Sequence, residues 1–97
     1  MAINFKSAEF LAASRLNDGR SDADFLYEMG IGCSTGAGGR EIDLVEAHKW
    51  FNLAAMQGHS EAALCRSDIA EDMTAREIAL AQREARAWLR AGEPRAA

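Results

Sequence analysis

The chain has 97 residues, 48% of them apolar, and a formal net charge of −4. At this length one domain is expected, and folding buries about 65% of the unfolded chain's surface, enough for a core without disulfide or metal staples. An acidic balance with a pI of 5.1 argues against a nucleic-acid binder, whose footprint should be basic, and no stretch approaches the ~20 apolar residues of a membrane span. The amino terminus, MAINFKSAEF, contains no apolar run, so no signal peptide is expected. Cys33 and Cys65 read as reduced thiols of a cytoplasmic protein rather than as a secreted framework. A single proline, abundant alanine and few β-branched residues favour an all-α domain.

Five helices are expected in chain order. The first covers roughly Phe5 to Leu16 and stops at Asn17, Asp18 and Gly19. Ser21, Asp22 and Asp24 can cap a second, which runs to about Gly30 with Asp24 near its positive end. A glycine-rich stretch, GIGCSTGAGGR, follows at residues 30–40. Asp43 to Glu46 is a capping-box-like start for a third helix, which reaches Gln57 and ends at Gly58. Ser60 to about Glu71 makes a fourth. Thr74 and Glu77 form a capping box that opens a fifth helix, running to about Arg90, before Gly92 and Pro94.

The third helix is apolar on two sides. At about 100° per residue, Leu44, Ala47, Trp50, Phe51, Ala54 and Ala55 gather on one face, while Val45, Leu53 and Met56 form a second. Such a helix is expected to have neighbours on both sides, as in a layered array. Val45, Leu53 and Met56 are expected to be only partly covered within one chain, which leaves room for a homodimer. In the fifth helix Ile78, Ala81, Ala85, Trp88 and Leu89 share one face, with Arg76, Arg83, Arg86 and Arg90 close to the opposite one. That division suits a helix that caps the array by covering the fourth, its arginines in water.

Tyr27, Gly30, Gly32, Asp43, Ala47, Trp50, Ala54, Ala55, Gly58 and Ala62 follow the pattern Y-x2-G-x-G…D-x3-A-x2-W-x3-A-A-x2-G-x3-A. This resembles a Sel-1-like repeat, a bacterial and eukaryotic relative of the tetratricopeptide repeat, and HKWFNLAAMQGHSEA is especially similar to it. The resemblance implies antiparallel helix pairs in a short right-handed superhelix that serves as an interaction scaffold. It divides the chain into a full repeat at about 21–58, a partial second at 59–73 and a C-terminal capping helix at 74–91. Departures are plain. Ala23 and Asp24 stand where family members carry Leu-Gly, and ten residues separate Gly32 from Asp43, where the family's loop is short. Ala70 and Met73 replace the second unit's tyrosine and glycine. Arrays of this kind generally need about three units, with atypical ends, and the first and fifth helices are expected to supply them.

The glycine-rich stretch invites a phosphate-binding reading that its spacing does not support. A Walker A loop needs Gly-Lys, which occurs nowhere here. A dinucleotide fingerprint needs a third glycine where Thr35 stands. The phosphatase loop needs five residues between cysteine and arginine, and six separate Cys33 from Arg40. Gly30 and Gly32 are therefore expected to end the second helix in left-handed conformations, with the remainder an insertion between helices. His48, His59 and Cys65 lack the spacing of metal ligands. His48 is expected at the edge of the core beside Phe51, and His59 in the turn before the fourth helix. Asp68, Glu71 and Asp72 read as a solvated helix end rather than an acid–base pair.

The functional expectation is an interaction or adaptor module with a protein partner, and no catalytic, metal or cofactor residues. Glu28 and Arg66 are candidates for a groove lined by the first helix of each pair, where Phe25, Met29 and Ile69 read as core. Leu80, Arg83, Arg86 and Arg90 form a second candidate partner surface, for an acidic partner. The alternatives are a phosphate-handling enzyme using Cys33 and Arg40, a structural homodimer, and a DNA-binding helix pair that the net charge disfavours.

Overall fold

The computed structural model describes residues 22–92, and the helix expected at 5–16 lies outside them. The described chain is all-helical, without a strand: α1 spans Asp22–Thr35, α2 Leu44–Met56, α3 Ser60–Ala70 and α4 Ala75–Gly92, with one 3-10 turn at Ala37–Gly39. Helix α1 lies antiparallel to α2. The Asp43 N–H meets the Cys33 carbonyl, Gly30 meets the Phe51 ring, and Asp24 meets His59, so partners rise along α2 as α1 descends.

The end of α1 corrects the expectation. The helix does not stop at Gly30 but runs through Gly30 and Gly32 to Thr35, and the left-handed residue that ends it is Gly36, with φ 76°. A side chain there would also collide with the Arg40 carbonyl, 2.9 Å from the position of a Cβ. Gly30 has a different reason to be glycine. Its Cα faces the Phe51 ring, two atoms of which lie 2.5 Å from where a Cβ would sit, so α1 and α2 approach through the missing side chain.

Helix α2 starts at Asp43, whose carboxylate accepts the Glu46 N–H at 3.1 Å and satisfies one of the unpaired donors at a helix start. The capping box is only half made, because the Glu46 carboxylate turns the other way. It accepts the Trp50 indole N–H at 3.1 Å and takes the Lys49 ammonium at 3.1 Å, which also lies 4.3 Å from the centre of the Trp50 ring. That arrangement lets a lysine be buried in a helix of a small domain. At the other end Gly58, with φ 94°, reverses the chain after α2.

Of the eight consecutive positions of α2 from Ala47 to Ala54, seven are buried and Asn52 alone is partly open. Three helices achieve this. Helix α1 covers the Ala47–Phe51 side, α3 folds back after a three-residue turn, and α4 lies across the side of Trp50. Leu53 is accordingly buried rather than partly uncovered, while Val45 is half-buried and Met56 is 60% exposed.

Helix α4 does not cap α3, as expected, but packs on α2; α3 and α4 scarcely touch. Its Ala81 and Ala85 are buried, and Trp88 meets Trp50 edge to face with ring centres 5.6 Å apart. The reason is the surface on offer. Helix α3 has one buried residue, Ala62, whereas α2 presents the large Trp50 ring. The start of α4 is the capping box read from Thr74 and Glu77: the Thr74 N–H donates to the Glu77 carboxylate at 2.9 Å and the Glu77 N–H to the Thr74 hydroxyl at 3.0 Å.

Two glycines of α1 should respond oppositely to alanine. Gly30→Ala forces Phe51 aside and is expected to cost about 1–3 kcal/mol. At Gly32 a Cβ would sit 3.5 Å from the Arg40 guanidinium, an ordinary contact, so Gly32→Ala should be neutral or gain about 0.5–1 kcal/mol from helix propensity. Urea unfolding of both variants measures the pair; equal midpoints would contradict the close α1–α2 approach. Trp50→Ala should lose about 3–5 kcal/mol in the same assay.

Candidate functional site

Four places gather groups with chemical potential, and the first is the glycine-rich loop. Arg40 curls back so that its guanidinium lies 3.7 Å from the Cys33 sulfur and donates to the Ala37 carbonyl at 3.3 Å. The pair is thus adjacent in space, yet no anion cradle surrounds it. Cys33 belongs to the last turn of α1 and is buried, its carbonyl accepts from Asp43, and the Gly36 N–H is spent on the Gly32 carbonyl. A phosphatase loop instead aims successive free N–H groups at one phosphate. Burial is the main influence on the Cys33 thiol and raises its pKa; Arg40 opposes this, while Glu46 and Asp43 add to it. The thiolate that nucleophilic chemistry requires is disfavoured here.

The second place is the junction of α1 and α3, which sequence reasoning did not assemble. His59 is the N-cap of α3: its Nδ1 accepts the Ala62 N–H at 3.1 Å, and its Nε2 faces the Asp24 carboxylate at 3.3 Å. Tyr27 stacks on the imidazole, with ring centres 4.4 Å apart and planes 18° from parallel, and is tilted against Phe51 at 6.0 Å. The Tyr27 hydroxyl has its pKa raised, first by burial and then by Cys65 and Glu61. A histidine, a carboxylate, a cysteine and a phenol in one place resemble a catalytic set. Both imidazole nitrogens are already engaged, so no free base faces Cys65. The cluster joins α3 to α1 through a ring that caps one helix while binding the other. The only sequence signal was a histidine at an N-cap position, where oxygen-bearing side chains normally stand.

His48 is the third, buried at 3% exposure rather than lining the core's edge. Its Nδ1 has no hydrogen-bond partner. Burial lowers its pKa, and the Arg66 guanidinium lowers it further. Arg66 itself is half-buried and donates to the Asn52 side chain at 2.7 Å, which ties α3 to α2. Arg66 therefore serves a structural bond, whereas Glu28 is exposed on α1. Phe25 and Met29 are buried core residues, and Ile69 packs on the core from its edge. Among the described residues no group of three or more His, Cys, Asp or Glu side chains could hold a metal, and no helix is long and apolar enough to cross a membrane.

The fourth place is the outer side of α4. Arg76, Arg83, Arg86 and Arg90 are all exposed, and Leu80 is half-buried beside them. None of the four has a hydrogen-bond or ion-pair partner among the described residues. No family model, curated protein or solved structure matches this chain.

Two measurements check these assignments. In the native protein Cys65, half-exposed, should react with a thiol reagent well before buried Cys33, and Cys33→Ser should leave the fast phase unchanged. The second concerns pH. The fold holds His48 neutral, while the unfolded chain protonates it around 6.5. The unfolded state therefore binds a proton that the folded state refuses. The stability this contributes is complete above that value and is lost as pH falls below it toward the lowered folded pKa. Unfolding free energy should decline between about pH 7 and about pH 5.5, and His48→Leu should flatten that slope relative to wild type, with His59 present in both.

Proposed function

We propose that the protein is a non-enzymatic protein–protein interaction module built on a short helical scaffold of Sel-1-like type. One observation carries the reading: the residues of the repeat signature are occupied with packing and helix ends, not with chemistry. Ala47, Ala54 and Ala62 are fully buried where helices meet, Gly30 admits Phe51, Gly58 turns the chain, Asp43 caps α2, and Tyr27 stacks on His59. What remains for function is surface held on a rigid frame. The position of α4 is a departure from a regular array, in which the second helix pair would pack as the first does.

The alternative, a phosphate-handling enzyme, has the proximity of Arg40 to Cys33 in its favour and the raised thiol pKa against it.

The folded chain, immobilised as bait, should retain a partner saturably from a lysate of its host and release it to excess free protein. A bait denatured before coupling should retain none. Failure of free protein to compete would remove the interaction reading. So would phosphatase turnover abolished by both Cys33→Ser and Arg40→Ala, which would install the enzyme in its place.

A further inference from the structure

We propose that the outer face of α4 docks an acidic amphipathic helix of a partner protein. This rests on the interaction reading and names the partner's chemistry. At 3.6 residues per turn, Arg76, Arg83, Arg86 and Arg90 fall within an arc of about 80°, and their Cα atoms span about 21 Å along the axis. The arc lies roughly opposite Ala81 and Ala85, which are buried on α2, so the fold makes no demand on it. Arginines on a helix surface are commonly answered by a glutamate one turn away. Here Glu77 is turned to the Thr74 N–H, and no carboxylate among the described residues reaches the stripe. Leu80, half-buried, and Ala87, exposed, run along one edge and supply an apolar border.

Charge selects the occupant. With those four arginines set aside, seven basic residues stand against fifteen acidic ones over the rest of the chain, a balance of −8. A nucleic acid carries a charge about every 1.7 Å and would extend past the stripe into that acidic surround. A single acidic helix stays within the strip. Its carboxylates, recurring at three and four residues, match the spacing of Arg83, Arg86 and Arg90, and each guanidinium can hold a carboxylate through two parallel bonds. Its apolar edge would meet Leu80 and Ala87. A second copy of this chain would have to pair α4 with a different, acidic face, and sedimentation distinguishes that occupant from a partner helix. Exposed ion pairs contribute little singly, so several must form in register for binding to be measurable.

The test uses the full chain and a fluorescein-labelled, alanine-based helical peptide with glutamates at every third and fourth position, followed by anisotropy. Wild type should bind it. Affinity should fall at least about tenfold in an Arg83→Gln, Arg86→Gln, Arg90→Gln triple variant whose melting curve matches wild type. It should fall similarly between about 0.1 and about 1 M salt, as the Debye length shrinks from ~10 to ~3 Å. Leu64→Ser, an exposed apolar position on α3, should change nothing. No binding of the peptide, or equal binding by the triple variant, overturns the proposal. So does tighter binding of an oligothymidylate than of the peptide, or self-association in sedimentation that the triple variant abolishes. Host partners retained equally by wild type and triple variant also overturn it, while leaving the interaction reading intact; turnover dependent on Cys33 would instead sink that reading.

Discussion

A helix of thirteen residues that buries nearly its whole circumference must be surrounded, and α2 is the element on which every other described helix depends. Helices α1, α3 and α4 each make their principal contacts with α2 and few with one another. The core is therefore radial. Phe51 and Leu53 are its largest fully buried side chains, with Trp50 nearly so, and alanines at Ala47 and Ala54 let the neighbours approach. Burying side chains of that size stabilises by about 1.5–3 kcal/mol each, a large part of the margin available to a small domain. The arrangement concentrates stability in one segment.

Polar groups near this hub are handled by local pairing. Glu46 gathers Lys49 and the Trp50 indole within one helical turn, so the second aromatic contact, Trp88 on Trp50, is made against a ring whose N–H is already satisfied. Asn52 and Arg66 tie α3 to α2, and Asp24, Tyr27 and His59 tie it to α1. Helix α3 buries only Ala62, so these polar and stacking contacts orient it more than apolar area does. His48 is the exception: an unpaired ring nitrogen in the core, held neutral. The same burial that lowers the pKa of His48 raises that of the Cys33 thiol, so the uncharged form of each is favoured.

Helix α4 is two-sided, with Ala81, Ala85 and Trp88 turned to α2 and the arginines turned away, so changes on its outer side need not disturb packing. An all-round core with a one-sided basic helix in an otherwise acidic chain is what the proposed interaction reading builds on.

Local features were readable from residues alone. Asp43, Gly58 and the Thr74–Glu77 box each act through hydrogen bonds or backbone angles spanning at most four residues, and so the three helix boundaries they mark were found. The two apolar sides of α2 likewise followed from its periodicity, which is a property of one helix. Contacts between helices were not readable. Gly30 and Gly32 suggest a helix end by composition, but the Phe51 ring gives Gly30 its role and Gly36 ends α1. Asp24 reads as a first-turn acid until His59 arrives from 35 residues away. The amphipathic pattern of α4 shows that one face must be buried and cannot say on which helix. The Trp50 ring of α2 offers the larger apolar surface, and because apolar burial is non-directional α4 packs there.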